Sequence, residues 1–211
     1  MTSDNLVLFG DSILGNAPYT GALPDTTTHL RRLLPGWSVD LLAQDGAAMA
    51  DIPFQLHDLR APVSVAVLSV GGNDAVEHVG LLEPTTIDST QLLRELLHVA
   101  DDFQERYESV ARDVAAVAER TIVCTIYEVQ LEPRPYAEIA RVPLALLNDR
   151  IVQTASRIRL YVLELRSVCT DAADFVKQIE PSPQGAEKIA KAIAGLVTGN
   201  GRLTAARVFS A

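Results

Sequence analysis

Residues 6–14 read LVLFGDSIL, an apolar run that ends at Gly10 and is followed at once by Asp11 and Ser12. A short continuous apolar run is typical of a strand that is covered on both faces of a sheet. The glycine lets the chain turn sharply where the strand ends. The stretch therefore predicts an α/β fold in which Ser12 stands at the carboxyl end of a buried strand.

Residues 65–74, VAVLSVGGND, repeat this arrangement and end in two glycines, Asn73 and Asp74. Similar apolar segments predict five strands: Leu6–Phe9, Ser38–Leu42, Val63–Val70, Thr121–Ile126 and Leu160–Leu165. Helical spacing predicts helices between and after them: Thr28–Leu34, Met49–Leu59, Ser89–Ala118, Pro143–Ile158 and Gly185–Val197. Alternating strands and helices favour a five-stranded parallel sheet with helices on both faces.

Length and charge limit the functions that this chain can have. Its 211 residues fit one domain, residues 1–211, and its net charge of -9 argues against nucleic acid or an anionic membrane as a partner. The sequence contains no apolar run of about 18 residues, so no membrane span is expected. The amino terminus lacks a basic, cleavable leader, which predicts a cytoplasmic protein. Cys124 and Cys169 have no metal-ligand spacing and are expected to be free thiols.

Three turns are expected to meet at one edge of the sheet. In the flavodoxin-like strand order 2-1-3-4-5, the first strand lies between the second and the third, and ligands bind where the strand order reverses. The turns at Ser12, Gly46 and Asn73 would then converge. Ser12 offers a nucleophilic hydroxyl, and the N–H groups of all three residues can donate to the oxygen that becomes negative during acyl transfer.

These motifs resemble those of the SGNH or GDSL-type hydrolases over nearly the whole chain. The first block is present as Gly10-Asp11-Ser12-Ile13, the second as the turn at Gly46, and the third as Gly71-Gly72-Asn73-Asp74. The resemblance implies a three-layer α/β/α fold and the hydrolysis of small acyl esters without a cofactor or a metal. It also implies that Ser12 is the nucleophile and that Ser12, Gly46 and Asn73 form the oxyanion hole.

The last block of the family, Asp-x-x-His-Pro, is altered in this chain. The corresponding stretch reads KQIEPS, so that Lys177 stands at the aspartate position and Glu180 at the histidine position. In one interpretation Glu180 acts as the general base, with Lys177 modifying its charge. In a second, His78 serves instead, because it follows Asn73 by five residues.

A third interpretation belongs to a different functional class. The fold and its pocket could serve a binding module that has lost hydrolysis, or Ser12 could transfer an acyl group to an acceptor other than water. In such a module the carboxylates of Asp11, Asp74 and Glu180 could bind a divalent cation, although three carboxylates scattered in sequence are weak evidence for a metal site. Oligomeric state and the identity of the acyl group and the alcohol are not encoded in any motif.

Two further groups of residues lie near the predicted site. Asp11 and Asp74 stand beside tight glycine turns, where an aspartate commonly accepts hydrogen bonds from backbone N–H groups. A long connection is predicted at Glu128–Arg141, and its Arg134, Tyr136 and Arg141 would overlook the cleft. These three residues are expected to be solvated surface groups rather than selectors of an anionic substrate.

Overall fold

A computed structural model describes residues 4–60, 62–83, 88–130, 132 and 134–199. Five parallel strands form one sheet in the order β2-β1-β3-β4-β5, which confirms the predicted topology. Their bounds are Asn5–Gly10 (β1), Ser38–Leu41 (β2), Val63–Ser69 (β3), Ala118–Cys124 (β4) and Tyr161–Leu163 (β5). β1 pairs with β2 on one side and with β3 on the other, so the sheet order reverses at β1.

Seven α-helices accompany the strands in the described part of the chain. Their bounds are Ala17–Thr20 (α1), Thr26–Leu33 (α2), Ile52–His57 (α3), Gly72–Val76 (α4), Ser89–Val117 (α5), Arg134–Ile158 (α6) and Pro183–Thr198 (α7). None of these helices combines the length and the apolarity that a membrane span needs. The predicted helix at Met49–Leu59 divides into a 3-10 turn over Met49–Asp51 and the short α3.

The central strands β1 and β3 are buried on both faces, as their apolar runs predict, whereas the edge strands β2 and β5 are partly exposed. Leu6 and Leu8 of β1 pack on one face, in a core that also contains Leu30 of α2 and Ile189 of α7. Val7 and Phe9 of β1 pack on the opposite face, against residues of α3, α5 and α6. The sheet is therefore the middle layer of three, and its edges carry the connecting turns.

The carboxyl end of β1 is held by close backbone packing. Gly10 has φ +127°, and a Cβ added there would lie 1.8 Å from the carbonyl oxygen of Ser69 on β3, so no larger residue fits. The side chain of Gln55 on α3 accepts from the N–H of Gly10 and donates to its carbonyl, both at 2.8 Å. Asp11 N–H donates to Ser69 O at 3.0 Å. These contacts fix the turn that carries Ser12.

The predicted start of the fourth long helix is wrong. We expected a helix from Pro143 and a loop over Glu128–Arg141, but α6 begins at Arg134 and contains Pro143 in its interior. A proline inside a helix removes one hydrogen bond and costs about 3 kcal/mol. Burial of Ala140 and Leu147 on either side of it offsets this cost.

A small hairpin before α7 was not predicted from the sequence. Strands Phe175–Val176 (β6) and Glu180–Pro181 (β7) pair antiparallel, with Val176 opposite Glu180. Lys177 and Gln178 in its turn have positive φ, 49° and 72°. This conformation is uncommon for residues other than glycine and produces a tight reversal.

Three sets of contacts brace this hairpin. Asn16, fully buried, donates to Pro181 O at 3.3 Å and accepts from Thr26 N–H at 3.0 Å, which ties β7 to α2. Tyr127 donates its hydroxyl proton to the carbonyl of Ile179. Ser182 caps α7, as predicted, by accepting from Gly185 N–H at 3.1 Å. The backbone around Glu180 is therefore fixed from several sides.

Candidate active site

One cavity of about 230 Å³ opens at the carboxyl edge of the sheet. Ser12, Asn73 and Glu180 lie in its wall, together with Asp11 and His78. The opposite wall is apolar and comes from α4, α5, α6 and the 3-10 turn Val79–Leu82; it includes Leu96, Val99, Ala140 and Leu144. The cavity thus places polar groups of the predicted site against a surface suited to a hydrocarbon chain.

Ser12 lies in the turn that follows β1. The residue is 8% exposed, and the turn is closed by the N–H groups of Leu14 and Gly15, which donate to Asp11 O at 3.2 and 3.0 Å. The carboxylate of Asp11 accepts from Ile13 N–H at 3.0 Å. The hydroxyl is therefore presented to the cavity by a rigid backbone.

Asn73 connects the second and third turns of the sheet edge. Its side-chain amide donates to Ala47 O at 2.8 Å, directly after Gly46 in the turn that follows β2. An amide nitrogen carries two hydrogens, so the second N–H remains for a ligand. Gly46 is exposed and has φ +77°, and this turn is closed by Ala47 N–H donating to Gln44 O at 3.2 Å.

Glu180 brings a buried carboxylate into the same cavity. It is 9% exposed, and its Oε2 has no hydrogen-bond partner in the described part of the protein. Burial raises the pKa of Glu180 above its ordinary value, and the negative charge of Asp45 raises it further. The Ser12 hydroxyl and the Lys177 ammonium act in the opposite direction. A carboxylate with a raised pKa is a stronger base than one in water.

Asp11 is a second carboxyl group with an altered proton affinity. Burial raises its pKa to about 7, although hydrogen bonds from Ile13 N–H and its own N–H lower it, and the nearby charges of Glu180 and Asp74 raise it. Groups with pKa values near neutrality in a cleft are frequent at functional sites. Asp11 and Glu180 therefore compete for protons beside Ser12.

We expect Asp11→Asn to stabilise the protein above pH 7 and to have little effect near pH 4. The unfolded carboxyl ionises near pH 4 and the folded one near pH 7, so the wild-type protein loses stability as the pH rises between these values. The asparagine oxygen can still accept from Ile13 N–H but carries no charge. The gain should reach a few kcal/mol and is measured by urea unfolding at several pH values.

Asp58→Asn is the matched control, because it removes the same charge from an exposed position. It should leave the pH dependence of unfolding unchanged. A gain for Asp11→Asn that is larger at pH 4 than at pH 8 would contradict the raised pKa.

The remaining predicted site residues lie in different surroundings. Asp74 is buried outside the cavity wall; one oxygen accepts from Met49 N–H at 3.1 Å and the other from Arg106 at 3.0 Å. Both carboxylate oxygens thus brace the third turn. Lys177 is exposed in the hairpin turn, and His78 lines the cavity.

The other residues singled out in the sequence lie at the surface or in the core. Arg141, on α6 rather than in a loop, pairs with Glu128 at 3.0 Å, and the Tyr136 hydroxyl donates to Glu83. The side chain of Arg134 lies outside the described residues. Cys124 and Cys169 are free and buried, as predicted.

No group of three or more His, Cys, Asp or Glu side chains in the described residues is placed to hold a metal ion. Within the same residues, Asp11, Asp74 and Glu180 do not converge in that way.

Two contacts in this region had no recognisable signal in the sequence. Tyr19, on the short α1, donates its hydroxyl proton to the carboxylate of Asp45, whose oxygens lie 2.8 and 2.9 Å away. Burial raises the pKa of Tyr19 to about 12, and the carboxylates of Asp45 and Glu180 raise it as well. Gln55 holds the end of β1. Both residues meet their partners only through tertiary packing.

Comparison with known proteins identifies the fold through structure and not through sequence. No protein-family model matches the chain, and no curated protein matches it. Solved structures do match, among them phospholipase A1 from Streptomyces albidoflavus, with TM-score 0.68 and 15% identity, covering 91% of this chain and 98% of that one.

Two further structures extend this likeness. One is a lipolytic protein of the G-D-S-L family from Veillonella parvula, with TM-score 0.61, 14% identity, and 93% and 99% of the two chains covered. The other is an acetylxylan esterase from Geobacillus stearothermophilus, with TM-score 0.62, 16% identity, and 90% and 92% covered. The chain therefore has the α/β/α fold of the G-D-S-L lipases and esterases.

Proposed function

We propose that this protein is a serine-dependent ester hydrolase in which Ser12 is the nucleophile and Glu180 the general base. One observation carries the proposal: Ser12, Asn73 and Glu180, from three separate elements, open onto a single cavity whose other wall is apolar. The fold shared with lipases and esterases supports the reaction class. The finer assignment of roles rests on the chemistry of these side chains.

The first half of the reaction forms an acyl-enzyme. Ser12 Oγ attacks the ester carbonyl carbon, and its proton passes to Glu180. The carbonyl oxygen becomes negative and accepts from the N–H groups of Ser12, Gly46 and the Asn73 amide. Collapse of this intermediate breaks the bond to the alcohol, which leaves with the proton held by Glu180.

The second half returns the enzyme to its starting state. Glu180 takes a proton from water as the water oxygen attacks the acyl carbon. The same three N–H groups stabilise the second negative oxygen, and the carboxylic acid leaves as Ser12 recovers its proton. Oε2 of Glu180, which has no hydrogen-bond partner among the described residues, provides an acceptor for the attacking water.

The cavity indicates an ester whose acyl group is apolar and of short to medium length. Its volume of about 230 Å³ is several times the ~30 Å³ that one water occupies in the liquid. Leu96, Val99, Ala140 and Leu144 offer no hydrogen bonds from their side chains, so a hydrocarbon chain suits this wall better than a sugar or a charged group.

A chain-length series of p-nitrophenyl esters tests the proposed function directly. We expect turnover, with kcat/KM rising from acetate to an intermediate acyl chain and falling again for chains that exceed the cavity. Thermal stabilisation by an acyl ligand without turnover would instead support a binding module. Turnover only when an alcohol acceptor is added would support an acyltransferase.

Narrowing the apolar wall should shorten the preferred acyl chain. Val99→Phe on α5 adds volume to a residue that lines the cavity, so kcat/KM for the longest accepted ester should fall about tenfold while that for acetate changes little. Leu97→Phe is the matched control, since Leu97 lies on the same helix, is 51% exposed and does not line the cavity. Equal loss for all esters in Val99→Phe would contradict this assignment.

A further inference from the structure

Asp74 is a predicted site residue that has no part in the proposed proton transfers. It is 1% exposed and does not line the cavity, so it does not touch the substrate. Its carboxylate instead joins two other elements: one oxygen accepts from Met49 N–H at 3.1 Å, and the other accepts from the guanidinium of Arg106 on α5 at 3.0 Å. Side chains that lie behind a site and hold its backbone by hydrogen bonds commonly position the groups in front of them.

Asn73 and Asp74 bind the same turn through two separate hydrogen bonds. The Asn73 amide donates to Ala47 O at 2.8 Å, and Asp74 accepts from Met49 N–H, two residues further along the chain. One hydrogen bond would let α4 pivot about the turn after β2, whereas two bonds at nearby residues fix its orientation. The Asn73 side chain is thereby fixed relative to Gly46, the proposed donor in that turn.

We propose that Asp74 is a positioning residue that holds the Asn73 amide in the oxyanion hole, an inference that rests on the proposed role of Asn73 as a donor. Such a donor stabilises the transition state only when it lies close to the developing negative oxygen. A misplacement of about 1 Å can cost ~10²-fold in rate. Because one amide N–H of Asn73 binds Ala47 O, the direction of the other depends on how α4 sits on this turn.

Arg106 supports this arrangement from the surface of the protein. Its side chain is 45% exposed, and its guanidinium is the positive partner of the buried Asp74 carboxylate. A buried charge without a partner is strongly destabilising, so the ion pair allows ionised Asp74 to accept from Met49 N–H. Arg106 belongs to α5, whose Leu96 and Val99 line the apolar wall. The pair therefore ties the turns of the oxyanion hole to the helix on the acyl side of the cavity.

Asp74→Ala is expected to lower kcat for a p-nitrophenyl ester by about 10- to 100-fold and to leave KM within about twofold. The loss arises in the transition state, because Asp74 makes no contact with the ester. Asp74→Asn should restore most of the activity, since its amide oxygen can still accept from Met49 N–H while Arg106 turns to solvent. Asp25→Ala is the matched control and should change neither constant: Asp25 also accepts from a backbone N–H, that of Thr28, but on the opposite face of the sheet from α5.

A double-mutant cycle shows whether Asp74 acts through Asn73. Asn73→Ala removes the donor, so adding Asp74→Ala to it should lower kcat by no more than about twofold further. Arg106→Gln, a change at a half-exposed side chain, serves in the same cycle if Asp74→Ala does not fold. It should lower kcat about threefold alone and have no effect together with Asn73→Ala. Arg112→Gln is its control and should leave kcat unchanged, because Arg112 on the same helix pairs with Glu108 instead.

A third measurement does not depend on activity. The side-chain ¹⁵N amide signal of Asn73, assigned by its loss in Asn73→Ala, should exchange its hydrogens with solvent about tenfold faster in Asp74→Ala than in the wild-type protein. Asp25→Ala should leave this exchange rate unchanged. Faster exchange in Asp74→Ala without esterase activity in any protein would support the positioning of Asn73 and overturn the proposed function.

Unchanged exchange of the Asn73 amide in Asp74→Ala would overturn the inference, and Ser12-dependent activity of the wild-type protein would then leave the function standing. Additive losses of kcat in the cycle would also overturn the inference, because Asp74 would then act independently of Asn73. Thermal melting of each variant shows that the compared proteins are folded.

Discussion

Ser12→Ala is expected to reduce kcat/KM for a p-nitrophenyl ester by about 10³-fold or more. The change removes the only atom that forms the covalent acyl bond in the proposed mechanism, and no neighbouring hydroxyl occupies the same turn of residues 11–15. The backbone N–H of residue 12 and the Asn73 amide stay in place. The mutant should therefore keep its affinity for a substrate analogue, measured by thermal shift, while it loses turnover.

Covalent labelling gives this prediction a second measurement. A fluorophosphonate should add one group to the wild-type protein, located at Ser12 by mass spectrometry, and none to Ser12→Ala. Ser38→Ala is the control, because Ser38 is exposed at the start of β2. Turnover by Ser12→Ala within tenfold of the wild type would contradict an acyl-enzyme and would indicate that water attacks the ester directly.

Glu180→Gln is expected to lower kcat by about 10²- to 10⁴-fold, the usual contribution of a general base. Glutamine has the same shape and cannot take a proton, so the change isolates proton transfer from packing. KM should change little, because Glu180 is assigned no contact with the apolar acyl group. Steady-state kinetics across pH 5–9 measures both constants.

Two variants decide whether the loss belongs to Glu180 itself. Glu119→Gln, an exposed change on β4, should have no effect. His78→Ala tests the other candidate base, since His78 also lines the cavity. Retained activity in Glu180→Gln together with loss in His78→Ala would assign the base to the histidine.

The sheet could be predicted because the apolar pattern of a strand is visible in a short segment and recurs in five segments. Strands covered on both faces are largely apolar, and residues 6–9 of β1 and 65–68 of β3 are apolar without interruption. The strand order follows once five such segments alternate with helices, because crossovers are right-handed. The turns at Ser12, Gly46 and Asn73 were predicted to meet for this reason, and the hydrogen bond from Asn73 to Ala47 joins two of them.

The errors arise where tertiary contacts override local preference. Pro143 indicates a helix start in any short window, yet α6 continues through it because Ala140 and Leu147 are buried. The hairpin before α7 depends on positive φ at Lys177 and Gln178, which neither residue favours by itself. Tyr19 and Asp45 are 26 residues apart, and no pattern in the sequence links them.

The bracing of the hairpin by Asn16, Tyr127 and Ser182 has a consequence for how such sites change over time. All three contacts reach backbone atoms, so none of them depends on which side chain stands at position 180. The scaffold can therefore hold an acid at position 180, where the sequence resemblance implies a histidine, without rebuilding the loop. The side chain at position 180 can be exchanged, whereas the backbone that surrounds it is fixed by the rest of the fold.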